Sequence, residues 1–259
     1  MVIAATGTVS FGVWGILTLS TIAHQYLFYG VSVLLIYFSL AVKSLSDEAG
    51  KIKNNLENGD IEQARKNLSM IVGRDTRGLD EPEIIRATVE TVAESAMDGI
   101  VAPLFYAFLG GPVLVWVYKT VNTLDSMVGY NNERFKEFGW ASATLDGWLN
   151  FIPSKITSVL LCLSMLCYGK KSLNSFHWAM KFILKGPAVN SDATEASMAG
   201  GLGVRLGGTN FYDSVAVHKP FLGNAFEPLQ IKHIRQSTVI SHIASALMLV
   251  MGLTILGKE

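Results

Sequence analysis

The sequence predicts an all-α fold: a polytopic helical membrane protein of about 4–5 transmembrane helices joined by helical polar loops. Two observations carry that reading. Half of the 259 residues are apolar and only 16% are charged, against about 25% charged in a soluble domain. The deficit is also uneven, with long uncharged runs alternating with densely polar ones. That is the pattern of spans joined by loops. The formal net charge is zero, so no general electrostatic attraction to nucleic acid operates. Cys162 and Cys167 lie in one apolar run and read as buried thiols, neither disulfide nor metal site.

A helix needs about 20 mostly apolar residues to cross a bilayer. The chain reads as one integral membrane domain, 1–259, with spans at 2–22, 26–42, 100–118, 151–168 and 239–256. No basic region precedes Val2, which argues against a cleaved signal peptide. The 100–118 segment is broken by Gly110-Gly111-Pro112. Broken backbone at membrane depth is tolerated where protein or a water-filled cavity satisfies it. The segment is therefore either a kinked full span or a re-entrant hairpin. Residues 44–99 hold seven Lys and Arg, residues 169–237 hold eight, and residues 119–150 hold three. A full span puts both basic-rich loops on the cytoplasmic side, so the positive-inside rule favours five spans. The location that follows is the cell membrane, with the lipid bilayer as a partner.

The polar segments carry the chemistry. Residues 44–72 read as two amphipathic helices joined at Asn58-Gly59, with Ser46 and Asp60 as N-caps. In Val72-Gly73-Arg74-Asp75-Thr76-Arg77-Gly78-Leu79-Asp80, glycines and arginines suit an anion-binding turn; a solvated turn with local salt bridges fits equally. Pro82 then opens a helix. Along it Arg86, Glu90, Glu94 and Asp98 recur every four residues and share a face. Carboxylates there need a partner, either Mg²⁺ with a nucleotide or solvent. Asn122 and Asp125 lie on one face of the next segment, and Asp146 and Asn150 lie one turn apart farther on. The last loop holds Asp192 and Glu195, spaced as a capping box, with a catalytic role as the other reading. Its glycine-rich run 200–208, around Arg205, suits close backbone packing or a phosphate contact. It is neither a P-loop nor a dinucleotide fingerprint. The five histidines have no metal-ligand spacing; His242, inside a span, reads as bonding a neighbouring helix.

In order, VGRDT (72–76), the Glu94-to-Leu104 stretch, NTLDSMVGY (122–130), the stretch from Leu145 to Pro153 and the run 199–208 resemble the CobD/CbiB family. These are the membrane-bound adenosylcobinamide-phosphate synthases of cobalamin biosynthesis. The likeness covers about 34–223. It implies a C–N ligase that joins aminopropanol, or its phosphate, to a propionate of the corrinoid adenosylcobyric acid, with ATP and Mg²⁺ as cofactors. By the same resemblance Arg74, Arg77, Arg205 and Asn190 would bind substrate or phosphate. Asp75, Glu94 and Asp98 would be metal ligands, and Asp98, Asn122, Asp125 and Asp146 would be catalytic.

The sequence departs from the family in places. Members usually begin with a further hydrophobic segment bearing Gly-Asp-Pro and His-Pro, and here Met1 falls after that region. The usual Glu-Asn reads Glu94-Ser95, the usual Asp-Asp reads Asp146-Gly147, and Ser-Pro-Asn reads Ala188-Val189-Asn190. A second reading is a membrane sensor or regulatory protein of the related AmpE-like type, without ligase activity. A transporter would require inverted repeats, which the sequence lacks.

Overall fold

The computed structural model describes residues 1–128, 139–168 and 172–257. In chain order the helices are α1 (Val2–Ala23), α2 (Gln25–Ser39), α3 (Val42–Glu57), α4 (Ile61–Leu68) and α5 (Glu81–Ala96). A π-helical turn, Met97–Val101, leads into α6 (Ala102–Val128). Then come α7 (Trp140–Leu149), α8 (Phe151–Cys167), α9 (Ser172–Ile183) and α10 (Asn190–Leu202). Strands β1 (Leu206–Tyr212) and β2 (Val215–Leu222) precede α11 (Lys232–Leu256). Four helical stretches are long and apolar enough to cross a membrane, or up to five if the consecutive pair α7 and α8 is one bent span. The all-α membrane expectation therefore holds. Gly129 and Tyr130, which end the 122–130 motif, lie outside the described residues.

Packing separates the chain into two compact units. One comprises Met1–Ala41, Asp98–Pro153 and Met248–Glu259; the other comprises Val42–Met97 and Ser154–Leu247.

In the first unit α1, α2 and α6 pack on one another. The broken segment resolves here as a hairpin. Gly110 (φ −157°, ψ 23°) and Gly111 (φ 62°, ψ −158°) leave helical geometry, and Pro112 restarts the helix. A straight helix would separate Asp98 from Tyr118 by about 30 Å. Instead the Tyr118 hydroxyl lies 3.3 Å from the Asp98 carbonyl oxygen. The Tyr106 and Tyr118 rings stack with centroids 5.0 Å apart. Ala102, Tyr106, Val115 and Tyr118 form one buried cluster across the two limbs. The sequence favoured a full crossing on loop charge. The folded chain returns toward the side it entered because Gly111 supplies a backbone state that other residues avoid. A Cβ at Gly111 would meet no atom within 4 Å. Gly111→Ala is thus a nearly pure test of backbone strain. It should cost about 1–3 kcal/mol, read as a lowered Tm in detergent.

The second unit is built on α3, α4, α5, α9, α10 and the hairpin. Its fully buried side chains include Ile52, Leu68, Ile84, Ile85, Leu161, Met165, Met198 and Leu222. Asp60 caps α4 by accepting from the Gln63 N–H at 3.0 Å. Asp80 caps α5 likewise through the Glu83 N–H, with Pro82 in the first turn. Two expected caps do not form. α3 starts at Val42, and Ser46 sits inside it, 2.6 Å from His242 Nε2. α10 starts at Asn190 with no side-chain cap, so Asp192 and Glu195 make no capping box. The His242 contact is of the kind its apolar setting suggests. Cys162 is buried as expected, whereas Cys167 is exposed.

The β1–β2 hairpin is absent from the sequence reading. Its strands run antiparallel, pairing Tyr212 with Val215 and Leu206 with Leu222. Asp213 and Ser214 form the two-residue turn, both with positive φ (49° and 65°), the backbone hand that matches strand twist.

Candidate functional site

The polar residues gather in two places, one in each unit. In the second unit the focus is Glu90, on the buried face of α5. Its two oxygens accept from Arg74 Nη2 at 2.5 Å and Arg86 Nη1 at 2.9 Å. The Gly207 N–H donates to it at 2.8 Å. The Asn210 Oδ1 accepts from Arg74 at 2.8 Å and from Arg86 at 2.9 Å. Arg86 also pairs with Glu83 at 2.5 Å. Both guanidiniums are buried, yet each finds carboxylate and amide acceptors, which is what a buried charge requires. Gly207 has φ +78°, and a Cβ there would lie 2.0 Å from the Pro220 carbonyl oxygen. Glycine at this site lets the β1 backbone reach Glu90.

This ionic lattice fixes the 72–80 loop against β1. Asp75 reinforces it: its N–H donates to the Phe211 carbonyl at 2.8 Å, and its Oδ2 accepts from the Ser214 N–H at 2.8 Å. Between the loop, α4 and the hairpin turn opens a groove of about 920 Å³. Arg65, Lys66, Arg74, Thr76, Arg77 and Ser214 line it, with Glu62, Asp75 and Asp213 among the acids. Arg65 is held by Glu62 and by the Leu79 carbonyl, and Arg74 by Glu90. Lys66 and Arg77 stand exposed on the wall. An anion entering there meets two exposed cations backed by two held ones.

The other residues singled out in this unit take separate places. Asn190 is buried and accepts from the Ser154 hydroxyl at 3.0 Å. Arg205 is exposed, with its guanidinium 4.4 Å from the centre of the Phe221 ring. Glu94 is exposed near the end of α5. The 200–208 run serves close packing and the hairpin.

Glu195 is the feature that the spacing concealed. It is 1% exposed, Lys219 approaches one oxygen only to 3.7 Å, and the other oxygen finds no hydrogen-bond partner among the described residues. Burial pushes this carboxyl well above its ordinary 4.5, against the pull of the Lys219 ammonium. A raised carboxyl pKa means that the unfolded chain ionises first as pH rises. Stability contributed by this group is therefore full below pH 4.5 and declines from there up to the folded pKa. Glu195→Gln removes that decline. The variant should gain stability relative to the parent as pH rises from 4 to 7, and matched melting curves at both pH values check it.

In the first unit the α6 hairpin brings together most of the carboxylate and amide residues chosen from the sequence. Asn122 Nδ2 donates to Asp146 Oδ1 at 3.1 Å, and Asn150 Nδ2 donates to Asp146 Oδ2 at 3.0 Å. The Tyr118 hydroxyl donates to Asn150 Oδ1 at 2.9 Å and reaches the Asp98 carbonyl. The Tyr106 hydroxyl donates to the Leu149 carbonyl at 2.8 Å. Lys119 lies within electrostatic range of both Asp98 and Asp146. Asp125 lies one turn beyond Asn122 and is half-buried. From the polar stretch after the break the sequence singles out Asn122 and Asp125; Tyr118 and Lys119, which begin that stretch, join them in the fold.

Mg²⁺ asks for one or two protein carboxylates and completes its shell with water and phosphates. Among the described residues no three His, Cys, Asp or Glu side chains group to hold a metal ion.

Fold and sites together define a polytopic helical membrane protein with a buried ionic lattice, a cation-walled groove and a carboxylate–amide cluster on a broken helix. The model of the CobD/Cbib protein family matches residues 1–241. The chain is 45% identical over 225 residues to the cobalamin biosynthesis protein CobD of Clostridium perfringens, covering 87% of this chain and 71% of that one. It is 40% identical over 252 residues to the protein of that name from Geobacter metallireducens, and 41% over 251 residues to that of Listeria monocytogenes. Each of these two alignments covers 97% of this chain and 79% of the relative. No solved structure matches it. The chain belongs to the CobD/CbiB family, and its role is in cobalamin biosynthesis. The reading as an AmpE-like regulator is not favoured.

Proposed function

We propose that this chain is an ATP-dependent C–N ligase. It would join the amine of aminopropanol, or of its phosphate, to a propionate carboxylate of adenosylcobyric acid. The observation that carries this reading is the cation-walled groove in a member of this family. A carboxylate is a poor acyl donor until a phosphoryl group converts one oxygen into a leaving group. ATP supplies that group when bound, and Mg²⁺ on its phosphates spreads their charge. The amine nitrogen then forms the C–N bond, phosphate departs with the C–O electrons, and the nitrogen loses a proton.

The chain's own residues do the holding. Lys66 and Arg77 bind phosphate oxygens, and the Glu90 lattice keeps Arg74 and the loop in place behind them. Asp75 is pinned to the hairpin turn and orients the loop. Asp146 fixes the amides of Asn122 and Asn150 toward substrate; Asp98 and Asp125 flank them, with Lys119 near enough to balance their charge. Glu94, on the exposed end of α5, is the carboxylate offered to a phosphate-borne ion. The cell membrane supplies the setting.

The test is direct. The full chain in detergent micelles is supplied with ATP, Mg²⁺, adenosylcobyric acid and either amine, and the product is followed by mass. One ADP should appear per amide formed. Arg77→Ala should raise KM for a phosphate-bearing substrate about tenfold, the equivalent of roughly 1.4 kcal/mol, with kcat little changed. Absence of amide product, or product formed equally well without ATP, overturns the reading.

A further inference from the structure

Helix α9 has two unlike faces. Ser175, Ala179 and Phe182 are buried. The Ser175 hydroxyl donates to the Ser197 carbonyl at 2.6 Å, and the Asn174 amide donates to the Gly200 carbonyl at 2.5 Å. That side is fixed to α10. On the other side Leu173 (88% exposed), Phe176, Met180 and, just past the helix end, Leu184 (84% exposed) form an uncovered apolar stripe. Their spacing of three and four residues keeps them on one line. Lys181 and Lys185 run along one edge of it. Their ammoniums lie 3.7 Å from the centre of the Trp178 ring and 4.3 Å from that of Phe182.

Twelve residues of helix reach about 18 Å, short of the roughly 30 Å of hydrocarbon that a span must cross. The stripe offers on the order of a few hundred Å², below the ~800 Å² per partner that a stable protein interface needs. From 172 to 191 the sequence has two lysines and no Asp or Glu. An apolar line with a cationic edge is the signature of a helix lying in the plane of an anionic membrane surface; the next acid in the chain, Asp192, belongs to α10 and lies within electrostatic range of Lys185. α9 also closely follows α8, which with α7 makes up the bent pair that would be a fifth span.

We propose that α9 is an in-plane interfacial helix: Leu173, Phe176, Met180 and Leu184 enter the headgroup–acyl boundary, while Lys181 and Lys185 contact anionic lipid phosphates. This surface is independent of the ligase reading. Single spin labels placed on the full chain at 173, 176, 180, 184, 181 and 185, with Cys162 and Cys167 replaced by Ala, test it in proteoliposomes. The bilayers are phosphatidylcholine with or without phosphatidylglycerol. At 173, 176, 180 and 184, collision with oxygen should exceed collision with a water-soluble nickel chelate; at 181 and 185 the order should reverse. Lys181→Gln with Lys185→Gln should abolish the deepening of the 180 label that phosphatidylglycerol produces. Preference for the nickel chelate along the stripe overturns the proposal. So does low access to both probes, which would mean that a second copy or another protein covers it.

Discussion

Glu90→Ala is expected to lower the stability of the chain by about 3–5 kcal/mol, the usual cost of removing one partner from a buried ion pair. The reason lies in what stays behind. Arg74 and Arg86 are both buried, and Glu90 receives one bond from each as well as the Gly207 N–H. Asn210 remains as an acceptor, but a neutral amide oxygen does not balance two guanidiniums. Glu90→Gln keeps the shape and loses the charge, and its NH₂ group would face donors. It should therefore fall between the parent and Glu90→Ala. An exposed pair such as Lys51–Glu48 is the contrast: Lys51→Ala should change stability by no more than about 1 kcal/mol. Thermal unfolding in detergent separates these cases. A Glu90→Ala protein melting with the parent would mean that the lattice is not a structural centre. The loop it holds forms one wall of the groove, so ligand binding should weaken in the same variant.

Asp146→Ala is expected to reduce amide formation at least 100-fold, the equivalent of about 2.7 kcal/mol in the barrier. Both oxygens of Asp146 are committed, one to Asn122 and one to Asn150. Asn150 in turn receives the Tyr118 hydroxyl, which also reaches the Asp98 carbonyl. Removing the carboxylate frees two amides and unties the second limb of α6 from the end of α7. Asp146→Asn separates charge from scaffold. One amide partner can still donate to the remaining oxygen, so the fold should lose only about 1 kcal/mol, while activity still falls steeply. Steady-state rates with both variants, beside their melting temperatures, give the answer. Parental turnover by Asp146→Asn would remove the carboxylate charge from the chemistry.

What the sequence disclosed follows from the range of each signal. Apolar run length is local, so α1, α8 and α11 lie where the runs lie. The four-residue recurrence of Arg86, Glu90 and Glu94 falls on α5, and Asp98 falls in the π-helical turn that follows. It does not tell which members are buried. Glu90 is enclosed and Glu94 is exposed, because Asn210 and Gly207 arrive from more than a hundred residues away. Periodicity carries no information at that distance. The hairpin was hidden for a different reason. Its first strand is interrupted by glycines and read as loop, although Thr209, Phe211, Val215 and Val217 flank a two-residue turn in the manner of paired strands. Glu195 illustrates a third case: its spacing to Asp192 imitates a cap, and only the start of α10 at Asn190 rules that out. The α6 break was visible as Gly-Gly-Pro. Its direction was not, because loop charge is a weak guide for long loops.

The hairpin in α6 also bears on how this protein enters the bilayer during synthesis. A crossing segment must carry whatever follows it through the hydrocarbon, at about 2.5–3.5 kcal/mol for a Lys or Asp at the centre of the bilayer. Lys119, Asn122 and Asp125 follow the Gly110–Pro112 break closely. Because the second limb returns toward Asp98, these residues need not cross the hydrocarbon away from Asp98, and a Gly110–Pro112 wedge avoids that cost.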